Sequence, residues 1–202
     1  MSDALGFTLT LWRHGEIASD GRLIGATDLP LTELGWQQTH AAWSTLSAAE
    51  PITALACSPR LRCLEPALQF AEAADLALTV EDGFSEMHFG QWEGQLLTVL
   101  ALPPDWSQQI AAGTLIIPEG ESVAAFSQRV ISAFLVWLDN SSGAHRVMLT
   151  HGGVIAVILA TCLGISLEAA QRIAVARGGF VQLAMLPPHL AYLTRLVPPC
   201  EA

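Results

Sequence analysis

Two histidines follow apolar runs, and each is itself followed by glycine. Arg13-His14-Gly15 comes after FTLTLW, and His151-Gly152-Gly153 comes after RVMLT. A neutral imidazole nitrogen can attack phosphorus and carry the phosphoryl group covalently. Such a transfer needs fixed cations for the charge on the equatorial oxygens and an acid for the leaving oxygen. Arg13 and Arg62, the latter in CSPRLRC, are candidate cations, and Glu86 in FSEMHFGQWEG is the candidate acid. Each residue also has a plainer reading. His14 is then a structural strand-end histidine and His151 a helix cap. Arg62 is an exposed helical residue, and Glu86 a solvated loop carboxylate. The case for chemistry rests on their occurring together.

Around these residues, three apolar runs end in the same style. Phe7–Trp12, Ile52–Cys57 and Arg146–Thr150 read as strands that give way to RHG, SPRLR and HGG. In open α/β sheets the carboxyl ends of parallel strands line the ligand crevice. Parallel pairing would therefore bring Arg13, His14, Arg62 and His151 together. Helices are expected over Thr32–Ala49, with Thr32 as N-cap, over Arg60–Ala74, over Ser122–Leu138 and from about Val154 to Leu163. In the second of these, Leu61, Leu64, Leu68 and Ala71 share a face. Leu76–Val80 is a further short strand. Phe180–Leu186 and Leu190–Leu196 read as closing strands joined at Pro187-Pro188. Residues 83–121 read as irregular, and the apolar loop at 96–104 stands as a candidate cover for the pocket. The order β-α-β-α-β-loop-α-β-α-β-β implies a three-layer α/β/α sandwich on a mostly parallel sheet, as one domain over residues 1–202.

Composition narrows the function. The chain has 202 residues, of which 51% are hydrophobic and 14% charged, enough apolar content for a substantial core. Its formal net charge of −10 disfavours nucleic acid and anionic membranes as partners. It has no lysine, so every fixed cation is an arginine, the better residue for gripping a phosphate in fixed geometry. No apolar run reaches the ~18 residues that span a bilayer. No signal-peptide pattern is evident, so the expected location is the cytoplasm. Cys57, Cys63, Cys162 and Cys200 form no CxxC pair and read as reduced structural thiols. His14, His88 and His151 lack HxH or HExxH spacing, so a metal is not expected. His40, His145 and His189 read as surface residues, and His88 as a pocket neighbour of Glu86.

The pieces LWRHGE (11–16), GRLIGATDLPLTELG (21–35), CSPRLRCLEPA (57–67), SEMHFGQWEG (85–94), PEGES (118–122) and LTHGG (149–153) resemble, in this order, the histidine phosphatase or phosphoglycerate mutase-like superfamily. The resemblance implies that His14 forms the phosphohistidine, that Arg13, Arg62 and His151 bind phosphate, and that Glu86 donates the proton. It implies no metal and no cofactor. It places Ile24 and Gly25 where backbone touches substrate in the mutases. Glu16-Ile17-Ala18-Ser19 lacks the Thr and Asn common in the mutases, and the stretch from Glu93 to Glu121 lacks their longer insertion. SPRLRC, EMHFGQWEG and the run from PEGES to FSQRV resemble instead the α-ribazole phosphatases, which remove a 5′-phosphate late in cobalamin assembly. The expected partner is thus a small phosphorylated metabolite. A mutase or sugar-phosphate phosphatase is the alternative, and a non-catalytic phospho-ligand module a further one, although such modules usually lose the nucleophile or the acid. The sequence leaves the oligomeric state open, a dimer included.

Overall fold

The alternating strand and helix periods of the chain resolve, in a computed structural model, into a six-stranded sheet with helices on both faces. The residues described are 6–100, 102–187, 189 and 191–199. The strands are β1 (Phe7–Arg13), β2 (Ala54–Cys57), β3 (Leu78–Val80), β4 (His145–Thr150), β5 (Phe180–Met185) and β6 (Tyr192–Val197). Their order is β3-β2-β4-β1-β5-β6. The first four are mutually parallel, and β5 runs against both β1 and β6. The expected mostly parallel α/β/α sandwich is therefore the observed fold.

The helices are α1 (Glu33–Ala49), α2 (Leu61–Ala73), α3 (Trp106–Ala111), α4 (Val123–Asn140), α5 (Gly152–Leu163) and α6 (Leu167–Gln171). Thr32 caps α1 by accepting from the Gly35 N–H, and Ser122 caps α4 by accepting from the Ala125 N–H. These caps stop the chain where the sequence reading places the helix starts.

The pleat divides the core in two, because successive strand residues point to opposite faces. Leu9, Leu11 and Met148 pack under α4 and α5 with Phe126, Val130, Phe134 and Ile158. Trp12, Val147 and Leu149 pack under α1 and α2 with Leu46, Ala67 and Phe70. Phe70 is stacked on Trp43, with ring centroids 4.7 Å apart. All six residues of β4 are buried, as a strand covered on both faces requires.

One expectation is corrected, and the burial of α2 adds to another. The buried face of α2 is Arg62, Cys63, Pro66, Ala67, Phe70 and Ala71, while Leu68 is exposed. The shared face of Leu61, Leu64, Leu68 and Ala71 is thus only partly the buried one, and Arg62 turns inward beside it. His145 is fully buried rather than on the surface. Its Nε2 lies 2.8 Å from the Thr10 hydroxyl, and Gln182 donates to that same hydroxyl. A short polar chain thus crosses β4, β1 and β5, satisfying groups that burial would otherwise penalise. The segment expected to be irregular contains two single 3₁₀ turns and α3, and α6 is a helix the sequence reading did not separate. Cys57, Cys63 and Cys162 are buried free thiols; Cys200 lies outside the described residues. Among the described residues no helix is long and apolar enough to cross a membrane.

Candidate active site

The carboxyl ends of β1, β2 and β4 lie side by side. Arg13 is in register with Thr150, the His14 N–H donates to the Thr150 carbonyl at 3.0 Å, and the Ser58 N–H donates to the Leu149 carbonyl at 3.1 Å. The three strand-end motifs therefore converge as expected.

His14 is only 4% exposed. Its Nδ1 lies 2.7 Å from the Gly15 carbonyl. A carbonyl only accepts, so Nδ1 carries the proton and Nε2 keeps the lone pair. Burial, then the charge of Arg62, then Arg13 and Arg177, push the imidazole well below its usual range, against the Gly15 bond that favours the protonated form. The ring is thus neutral with a fixed tautomer, the state a nitrogen nucleophile needs. The loop that follows is held by close backbone contact. A Cβ on Gly15 would strike the Gly35 carbonyl, and one on Gly35 would strike the Glu16 carbonyl. The glycines of RHG and LTELG therefore serve one contact between two loops. Glu16 pins the same contact by accepting from the Thr32 hydroxyl at 2.6 Å.

Arg62 is fully buried, not an exposed helical residue. Its Nη1 donates to the Thr27 carbonyl, Nη2 to the Gly25 carbonyl and Nε to His151 Nδ1 at 3.2 Å. One N–H remains on each terminal nitrogen. Arg13 donates through Nη1 to the Val175 carbonyl, and its buried Nε has no hydrogen-bond partner. Two guanidiniums thus hold unspent donors beside His14.

His151 packs edge-on to His14, with ring centroids 5.3 Å apart. Because Nδ1 accepts from Arg62, the ring donates at Nε2, to the Ser58 hydroxyl at 2.8 Å. Burial and the neighbouring charge of Arg62 lower its basicity strongly. Both nitrogens are therefore committed to protein partners, and His151 orients Arg62. Ser58, which fixes that tautomer, is a site residue the sequence reading passed over.

Glu86 accepts from the Gly153 N–H through Oε2 and from its own neighbour Met87 through Oε1. A Cβ on Gly153 would collide with the Glu86 carboxylate, and one on Gly152 would sit 3.3 Å from Arg13 Cζ. The paired glycines of HGG thus make room for the acid and for one cation. The loop that carries Glu86 is held from both sides. Thr150 donates its hydroxyl to the Phe84 carbonyl at 2.8 Å. Arg129 of α4 donates to the carbonyls of Gly83, Ser85 and Glu86, and is itself paired with Glu121 at 2.8 Å.

Three further residues escaped the sequence reading. Arg129 lies within the helix expected over Ser122–Leu138, where no role was assigned to it. Arg177, whose Nη2 donates to buried Ser19 at 3.1 Å, adds positive charge near Arg13 and His14. Glu93 accepts from the Gly25 and Thr27 N–H groups and clamps the loop whose carbonyls hold Arg62. Burial opposes its charge, but those backbone bonds outweigh it and hold the carboxyl below its usual range. Glu93 is the residue before last of the EMHFGQWEG motif, and that position was the available signal. Gly25 meets Arg62 and Glu93 through its backbone, whereas Ile24 is half-buried with no polar role. His88 is exposed, its ring accepts from the Gly90 N–H, and it lines one cavity together with Glu86.

Comparison with known proteins follows the same lines. A family model described as the histidine phosphatase superfamily (branch 1) matches residues 9–191. A Yersinia pestis (strain Pestoides F) protein named probable phosphoglycerate mutase GpmB is 29% identical over 168 residues, which cover 81% of this chain and 78% of that protein. The crystal structure of the alpha-ribazole phosphatase from Shigella flexneri superposes with a TM-score of 0.79 at 25% identity, covering 97% of this chain and all of that one. The crystal structure of TTHB049 from Thermus thermophilus is 31% identical, with a TM-score of 0.66, over 95% of this chain and 99% of that one.

Proposed function

Because the chain belongs to the histidine phosphatase superfamily, we propose that it hydrolyses a small phosphomonoester through a phosphohistidine on His14, with α-ribazole 5′-phosphate as the leading substrate. The observation that carries this reading is the state of His14. It is buried and neutral, Nδ1 is tied to the Gly15 carbonyl, and two arginines with unspent donors stand beside it.

In the first half-reaction Nε2 attacks phosphorus. The N–P bond forms as the ester P–O bond breaks, and Glu86 gives its proton to the leaving alkoxide. Arg13 and Arg62 receive the equatorial oxygens, whose charge is spread in a loose transition state. His151 backs the phosphate pocket by holding Arg62 in place. In the second half-reaction water attacks phosphorus, Glu86 takes a proton from it, and the N–P bond breaks to release inorganic phosphate. This scheme uses no metal and no cofactor. The absence of lysine and the net charge of −10 suit a small anion held by a few placed arginines in a cytoplasmic enzyme.

The similarity to the Shigella flexneri alpha-ribazole phosphatase supports the substrate assignment; the second reading is a mutase or a sugar-phosphate phosphatase, and the similarity to GpmB supports its mutase form. Phosphate release at neutral pH in EDTA separates them. Preference for α-ribazole 5′-phosphate over 3-phosphoglycerate and fructose bisphosphate is expected. The reverse order favours the second reading.

A further inference from the structure

Of the nine arginines, Arg60 is the one whose side chain has no hydrogen bond, ion pair or ring contact among the described residues. It is half-buried, and its Nε is shut off from solvent. A buried donor without an acceptor costs stability, so such a group calls for a reason. The backbone around it is fixed. Arg60 is the residue before α2, its N–H donates to the Ser58 hydroxyl at 3.3 Å, and its carbonyl accepts from the Cys63 and Leu64 N–H groups. That same hydroxyl accepts from His151 at 2.8 Å. The fold thus anchors Arg60 at the edge of the site and leaves its guanidinium unspent.

Arg60 lines an open cavity of about 540 Å³ together with Asp82, Glu86, Glu119, Glu121 and Arg129. It makes no ion pair with any of those carboxylates, and Arg129 is already spent on Glu121 and three carbonyls. Its charge instead reaches the phosphate pocket. Burial first, then Arg62 and His14, and then Arg60 lower the basicity of His151, and Arg60 adds to the lowering that burial imposes on Arg62. Like charges gathered in this way repel one another unless an anion sits among them. We propose that Arg60 is a further phosphate-binding residue, a third guanidinium that closes on the phosphoryl group of the substrate and on the inorganic phosphate released. The inference rests on the phosphatase reading above and adds a member to its binding site. Arg60 supplies a planar fork of donors, the geometry that suits a pair of phosphoryl oxygens. A second anionic group of the alcohol, lodged farther out in the cavity, would face Asp82, Glu119 and Glu121. An anion beside Arg62 and His151 meets a positive field, so the phosphoryl position is the one that Arg60 serves. A cation standing partly in solvent also draws a dianion toward a protein whose net charge of −10 repels it.

Arg60→Gln tests this with two readouts. One is the affinity for inorganic phosphate by titration calorimetry, which needs no turnover. The other is kcat/KM for p-nitrophenyl phosphate, glycerol 3-phosphate and 3-phosphoglycerate. A hydrogen bond to a charged group is worth about tenfold or more. Phosphate should bind more weakly by at least that factor, and kcat/KM should fall similarly on all three esters. Tm should hold, because no protein contact is lost. The decline of kcat/KM with ionic strength should become shallower in Arg60→Gln and return in Arg60→Lys, which keeps the charge. Unchanged phosphate affinity overturns the inference, and turnover of the esters then leaves the phosphatase reading intact. A loss confined to 3-phosphoglycerate, with phosphate affinity kept, also overturns it and assigns Arg60 to a distal carboxylate. A fall in Tm with equal losses in both variants marks a structural role and overturns it as well. If no ester is hydrolysed while phosphate still binds more weakly to Arg60→Gln, the phosphatase reading fails and the binding role of Arg60 stands.

Discussion

Arg129 holds the backbone of Glu86: one guanidinium donates to the Glu86 carbonyl at 3.1 Å and to the carbonyls of Gly83 and Ser85 just before it. The proposed acid sits on a loop, and loops place side chains poorly unless tied down. Arg129→Ala should lower kcat for alkyl phosphates by roughly a hundredfold, the scale of loss when a catalytic group drifts by about 1 Å. p-Nitrophenyl phosphate, whose leaving group needs little protonation, should lose much less. Arg129→Lys should not restore the rate, because an ammonium cannot span three carbonyls and Glu121. A uniform loss on both substrates would remove Arg129 from any positioning role.

Glu86→Gln tests the acid directly. General acids contribute about a hundred- to ten-thousand-fold. The loss should grow with the pKa of the leaving alcohol across a series of aryl and alkyl phosphates. A slope unchanged from wild type would take the acid role away from Glu86.

The paired glycines offer a spatial control. Gly153→Ala places a methyl against the Glu86 carboxylate, and Gly152→Ala places one against Arg13. The first should reproduce the leaving-group signature of Glu86→Gln. The second should instead raise KM and weaken competitive inhibition by inorganic phosphate. Identical kinetic signatures in the two variants would contradict this division of labour.

His14 is held well below its ordinary basicity, chiefly by burial and then by Arg62. It therefore stays neutral, and nucleophilic, as pH falls through the usual imidazole value of about 6.5. The acid limb of kcat/KM should show no loss assignable to His14 near that value. Label incorporated at His14 in single-turnover quench experiments from pH 7.5 to 5.5 checks this. A burst amplitude that halves near pH 6.5 would show an ordinary imidazole.

The same shifts act on stability. His14, His145 and His151 all lie below their usual range in the folded chain, mainly through burial. Below about pH 6.5 the unfolded chain takes up protons that the native chain refuses. The contribution is full above that pH and is lost progressively as pH falls toward the folded values, by up to about 1.4 kcal/mol per pH unit per histidine. Tm should be flat from pH 8 to 7 and decline from 6.5 to 5. A flat profile across that lower window would contradict the burial of neutral imidazoles.

Much of this was legible in the sequence because backbone rules and chemistry agree there. Strands ending in RHG, SPRLR and HGG announce a parallel crevice, and Thr32 and Ser122 announce helix starts. The reading failed where a side chain serves something remote in sequence. Arg129 meets Glu86 across 43 residues, and nothing on α4 signals three waiting carbonyls. The inward turn of Arg62 on α2 is not announced by the leucine spacing. His145 was misread because its partners, Thr10 and Gln182, come from the two ends of the chain. Arg177 needed the fold to bring it beside Ser19, 158 positions away.

The central claim is a covalent intermediate on His14. Rapid mixing with phosphorus-32-labelled p-nitrophenyl phosphate and an alkaline quench should trap one acid-labile, base-stable label on the peptide carrying His14, with neither label nor turnover in His14→Ala. Label on another residue, or turnover persisting in His14→Ala, would contradict the account.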